Sequence, residues 1–175
     1  SESALTQIVV VVDSDAKGFE RVVIDVTGFT KPVSVEAALV GGQLPRRAAL
    51  VHEGGPLGPI AVTVRGFVAG SATPLLVEPR TGLFFERGKT LLLKVDLLAE
   101  CVEFCDAKQA CVAGPTCVSS DAAAELISWK GDIDALRVTG TVGAESMNKP
   151  DPRQDAGKLI DAATGTDGSL GSDAD

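Results

Sequence analysis

Through the first hundred residues, short apolar runs alternate with polar positions, and turn residues close each run. Residues 6–12, Thr-Gln-Ile-Val-Val-Val-Val, form a β-branched stretch ended by Asp13-Ser14-Asp15, which predicts a buried strand. Residues 20–27 set Val22, Ile24 and Val26 against Arg21, Asp25 and Thr27, a half-buried strand closed by Gly28. Residues 33–39 repeat the pattern before Gly41-Gly42, and Arg47 to His52 make a short strand. Residues 60–68 alternate again, with Ile60, Val62 and Val64 on one face and Thr63 and Arg65 on the other. Gly66 reads as a bulge. Two short strands, Leu75 to Val77 and Leu83 to Glu86, flank Pro79-Arg80-Thr81-Gly82, and Thr90 to Leu98 is the last strong strand.

Roughly seven or eight strands with frequent turn signals predict an all-β, antiparallel sandwich of the immunoglobulin-like or fibronectin-like kind over residues 1–100. A cysteine knot follows at residues 101–118. Residues 119–144 are expected to hold a short helix, Ala122 to Trp129, capped by Ser119-Ser120-Asp121, and one further strand, Leu136 to Val142. From residue 145 to 175 the chain is an acidic Gly/Ala/Ser/Asp tail, expected to be extended. Val22, Ile24, Val26, Ile60, Val62 and Val64 are the expected core.

The chain's four cysteines, Cys101, Cys105, Cys111 and Cys117, lie close together. An even, clustered set is how an exported chain staples a small loop-rich unit, so disulfides and an oxidising compartment are the main reading. A zinc site would need short paired spacings, whereas Cys111 to Cys117 is wide and His52 is distant. Reactive free thiols would need a basic neighbourhood, and only Lys108 adjoins. Of the three possible connectivities, Cys101–Cys111 with Cys105–Cys117 interleaves and so braces the knot best.

Composition narrows the function classes. At 45% hydrophobic the 175-residue chain can bury a core. A net charge of −8 opposes nucleic acid and anionic lipid as partners. No apolar stretch approaches the length of a membrane span. The start at Ser1-Glu2-Ser3 is expected to be a mature form from which a signal has been removed; a lipid-anchor cysteine would precede Ser1.

The order of three segments resembles a known family. They are the opening Thr6 to Asp15, the loop Leu50-Val51-His52-Glu53-Gly54-Gly55-Pro56-Leu57-Gly58-Pro59, and Gly88-Lys89-Thr90-Leu91-Leu92-Leu93 running into the cysteines. Over residues 5–120 the chain is similar to exported, lipoprotein-like cell-surface proteins of the myxobacterial type. The resemblance implies an extracellular β-sandwich followed by a disulfide knot, with no enzymatic activity.

Candidate chemistry is sparse. Asp13-Ser14-Asp15-Ala16-Lys17-Gly18 resembles the start of a calcium loop, but Lys17 takes the fifth ligand position and Ile24 the twelfth. Asp13 and Asp15 are therefore weak metal candidates, and a polar turn is the simpler reading. His52-Glu53 is the one acid–base pair by proximity, yet neighbours on a strand face opposite ways. No nucleophile elbow or phosphate loop is present, and no cofactor is expected. One of Phe84 and Phe85 should point outward and mark an interaction patch. The chain is thus read as a non-enzymatic, secreted or outer-surface protein making protein–protein contacts. The alternative is a self-assembling fibre or surface-layer subunit that donates Ile8, Val9, Val10, Val11 and Val12 as a strand to another copy.

Overall fold

The structure is a computed structural model that describes residues 4–39, 43–131 and 134–143. The expected acidic tail lies outside the described residues. Two sheets pack face to face as a sandwich, and a third, two-stranded sheet sits in the cysteine region. In chain order the strands are β1 (Gln7–Ser14), β2 (Phe19–Thr27), β3 (Val33–Ala38), β4 (Arg46–Gly54), β5 (Ile60–Val68), β6 (Leu76–Leu83) and β7 (Thr90–Leu97). After a 3-10 turn at Ala99–Cys101 come β8 (Gln109–Val112), β9 (Thr116–Ser119), β10 (Ile127–Ser128) and β11 (Leu136–Thr141). The first sheet has the order β10-β7-β1-β4-β11, the second β3-β2-β5-β6, and β8 pairs with β9.

The predicted alternating faces of β2 and β5 and the apolar runs of β1 and β7 together close the core. Ile8, Val10 and Val12 of β1, Val22, Ile24 and Val26 of β2, and Ile60, Val62 and Val64 of β5 all lie in one buried cluster. They meet Leu91, Leu93, Val95 and Leu97 of β7 there. The period-two side-chain rule puts these residues on the inner faces of the two sheets. Most pairings are antiparallel, but β1 runs parallel to β7, and β11 runs parallel to β4.

Several expectations are corrected. The sandwich does not end at residue 100, because β10 and β11 come after the cysteines and form both edges of the first sheet. No helix forms over Ala122 to Trp129. Ala123 N donates to Ser119 O and Ala124 N to Asp121 O, a turn, and then Ile127 and Ser128 pair with Leu92 and Leu91. Nor is the segment around Pro79 a break. β6 is one strand through Pro79 and Gly82, tolerated because it is an edge strand, where a missing ladder donor costs least. Gly66 is not the bulge either; the ladder slips between Phe19 and Arg21. A Cβ on Gly66 would sit 2.6 Å from the Phe19 ring, so glycine there makes room for that ring.

The chain between β10 and β11 joins opposite edges of the first sheet. Arg47 of β4 lies over the Trp129 ring, 5.6 Å from its centre, which places Trp129 on the outer face. Val9 and Ala49 belong to that face and are fully buried.

Candidate interaction surface

The cysteine knot is anchored where β1 and β7 end side by side. At its entrance Ser14 Oγ donates to Leu97 O at 2.6 Å, and Ala99 N donates to the Asp15 carboxylate at 2.7 Å. Asp13 accepts from Ser14 N. Asp13 and Asp15 thus brace the turn after β1 and its contact with the 3-10 turn. The chain then folds into the β8–β9 hairpin, where Cys111 and Cys117 face each other across the ladder. Cys101 bonds to Cys111 and Cys105 to Cys117, so each hairpin strand is clipped to the loop that precedes it. This is the interleaved pairing.

Beneath the hairpin lies a buried ion pair that the sequence did not reveal. Glu78 and Arg80 of β6 are 1% and 4% exposed, and Arg80 Nη1 donates to the Glu78 carboxylate at 2.9 Å. The Glu78 carboxylate also accepts the Cys111 backbone N–H at 3.1 Å, and Arg80 Nη1 donates to Pro79 O. Val62 and Val64, both core residues, pair with Arg80 and Glu78, so the two charges occupy inward positions at the sandwich edge. Burial raises the Glu78 carboxyl above its ordinary value, and this outweighs the lowering pull of the Arg80 hydrogen bond, the Cys111 N–H and the Arg80 charge. The signal available in the sequence was phase. Leu76, Glu78 and Arg80 share one face of a strand, yet polar side chains are ordinarily assigned outward.

The Glu78 carboxylate and the sulfurs of Cys101 and Cys111 lie within 4.8 Å of one another. Both sulfurs are joined in a disulfide, which removes them as thiolate ligands. The cluster is therefore a structural lock between the hairpin and β6.

The remaining candidates separate. His52 Nε2 donates to the carbonyls of Gly55 and Pro56 and its ring packs against Phe85, while Glu53 is exposed. They make no acid–base pair. Phe85 is buried and Phe84 half-buried. Phe84 also abuts Gly58, where an added Cβ would come within 2.9 Å of its ring, so the outward patch expected there is occupied by the neighbouring loop. Ile8 to Val12 lie in the middle of their own sheet, with β4 on one side and β7 on the other. The exposed aromatic is instead Phe104, at 52%, between Cys101 and Cys105. Its neighbour Glu103 has φ of 55°, and Phe104 N donates to Cys101 O, so a tight turn presents the ring.

Comparison with known proteins finds no matching family model, no matching curated protein and no matching solved structure.

Proposed function

We propose that this is a non-enzymatic extracellular or cell-surface protein whose knot mediates contact with other proteins. Phe104 carries the reading. A large aromatic ring exposes half its surface on a loop closed at both ends by disulfides. Such a ring in water makes no contribution to the core, but it fits the anchor residues that dominate protein interfaces. A loop already fixed by cross-links loses little conformational freedom on binding, which raises affinity without new contacts. The two disulfides favour an oxidising compartment, and the resemblance to exported surface proteins points the same way.

A photo-crosslinking aromatic placed at position 104, with the protein presented to intact source cells, tests this. A discrete protein adduct is expected, outcompeted by unlabelled native protein but not by the Phe104→Ser variant. An adduct pattern that Phe104→Ser competes away equally well, or no adduct, sinks the proposal.

A further inference from the structure

The two disulfides of the knot stand in different surroundings. Cys101 and Cys111 are 4% and 3% exposed and belong to the hydrophobic core. A charged thiolate must leave water to reach their sulfurs, and burial of a charge in an apolar interior is costly. Cys105 and Cys117 are half-buried, and their chain neighbours Phe104, Asp106 and Thr116 are exposed. Access decides which disulfide exchanges with a dissolved thiol, and exposed bonds are the labile ones.

The two bonds also hold different parts. Cys101–Cys111 ties β8 to the 3-10 turn after β7, and β8 is held a second time from β6, where the Glu78 carboxylate accepts the Cys111 N–H. Cys105–Cys117 ties the loop ahead of β8 to β9. The backbone hydrogen bonds of that loop are local: Val102 N donates to Ala99 O, Phe104 N to Cys101 O and Gln109 N to Asp106 O. Its start reaches the hairpin tip, where Glu100 accepts from Gly114 N. Cys117 Sγ lies 3.7 Å from Phe104 O, so the outer bond adjoins the turn that presents the exposed ring.

We propose that Cys105–Cys117 is a redox clasp on the Phe104 loop, opened by a small dissolved thiol of the glutathione class while Cys101–Cys111 stays closed. The thiolate attacks one sulfur of the outer bond, forms a mixed disulfide and releases the other cysteine, which takes up a proton. A second thiol attacks the mixed disulfide, frees the remaining cysteine and leaves as the small-molecule disulfide. Two electrons pass from the two small thiols to the protein, and their two hydrogens end on Cys105 and Cys117. β9 keeps its ladder with β8, and β8 keeps its bonds to Cys101 and Glu78. The loop loses its tie to β9, so the ring must be ordered again before it can make a contact, which lowers affinity. That consequence for partner contact rests on the role proposed for Phe104; the clasp itself does not.

The test treats the folded full chain with increasing reduced glutathione, quenches with iodoacetamide and maps the modified cysteines by mass spectrometry. Cys105 and Cys117 are expected to be alkylated or glutathionylated at about tenfold lower glutathione than Cys101 and Cys111, giving a species with one disulfide left. Hydrogen exchange of that species should rise over residues 102–106 and stay at the native level over β1 and β8. The Cys105→Ala/Cys117→Ala variant should show the same rise with no thiol present. Modification of all four cysteines together, or of Cys101 and Cys111 first, overturns the proposal. So does native exchange over residues 102–106 in both the opened species and the variant. Every one of these readings is made on the protein alone, so their failure is distinct from the absence of an adduct at position 104.

Discussion

At the β6–β7 side of the sandwich the gap between the sheets is covered by a separate hairpin, joined by two disulfides to the loop leaving β7 and hydrogen-bonded to a buried carboxylate on β6. At the opposite side, where β3 faces β4 and β11, an open groove of about 580 Å³ remains, lined by Val35, Ala37, Arg46, Ala48 and Leu136. There, among the described residues, Arg46 reaches only a backbone carbonyl, that of Ala38, and Leu136 is 60% exposed. The contrast follows from what each side buries. Small aliphatic side chains at a rim tolerate water at little cost. A paired Glu and Arg within the core wall do not tolerate a dry, loosely fitted cover, since each charge needs its partner and every remaining polar group needs a hydrogen bond. The knot meets the carboxylate's part of that need, because its Cys111 N–H is directed at Glu78 and covalent closure holds it there, while Arg80 Nε has no hydrogen-bond partner among the described residues.

The largest effect should come from breaking that lock. Glu78→Ala strands the Arg80 charge and the Cys111 N–H together, and about 3–5 kcal/mol of stability should be lost in urea unfolding. Arg80→Met leaves the opposite orphan, and here pH decides the outcome. Glu78 already has a raised carboxyl pKa in the folded state, and losing Arg80 raises it further. A raised folded-state pKa means that the folded protein binds the proton more tightly than the unfolded chain. The group's favourable contribution is present below the ordinary carboxylate range and is lost as pH rises through the folded value. The Arg80→Met variant should therefore be closest to the native protein in acid and fall away from it toward neutral pH. A constant deficit across pH would mean that Arg80 acts by packing alone.

The disulfides sharpen the same comparison at a smaller scale. They close loops of nearly equal length, with sequence separations of 10 and 12, so chain entropy assigns each about 3 kcal/mol. Their surroundings differ. Cys101 and Cys111 are buried against the core beside Glu78, while Cys105 and Cys117 are half-buried in the outer knot. Replacing Cys101 and Cys111 together by alanine should cost more than replacing Cys105 and Cys117, because the first change also loosens the donor that satisfies Glu78. Equal losses would assign the knot's contribution to the unfolded chain alone.

These regions also differ in how far their sequences disclosed them. β1 and β7 were legible as strongly apolar runs, and β2 and β5 through an alternation whose predicted face, Val22, Ile24, Val26, Ile60, Val62 and Val64, is the face that is buried. The four cysteines were legible as a group through their spacing. Glu78 and Arg80 were not, because a charge in phase with core residues gives no local sign that it faces inward; only the hairpin above it explains its position. Pro79 disguised β6 for a related reason, since its cost depends on whether the strand has a neighbour on that side. β11 was legible as a strand over Leu136 to Val142, but its parallel place beside β4, like the whole of β10, depends on a connection that crosses the knot, and the parallel β1–β7 pairing depends on all the strands between them. Phe104 was passed over because residues between cysteines read as knot rather than as surface.

The smallest effect belongs to the open side, and it tests the contrast from the other direction. Leu136 begins β11 opposite Ala48, yet most of its side chain is in water. Leu136→Ser should change stability by no more than about 0.5 kcal/mol, as expected for an exposed site without a cap, turn or buried partner. The urea midpoint would report it, with an unchanged slope showing that β11 stays paired. Val138, two residues on, is only 8% exposed and packs into the core, so Val138→Ser on the same strand should be clearly more damaging. If the two substitutions cost the same, the groove is covered in solution and the two sides of the sandwich are closed alike. If only Val138→Ser is damaging, the rim beyond Val138 is held by the strand pairing and by water, and the sealed edge is the one that carries the buried charges.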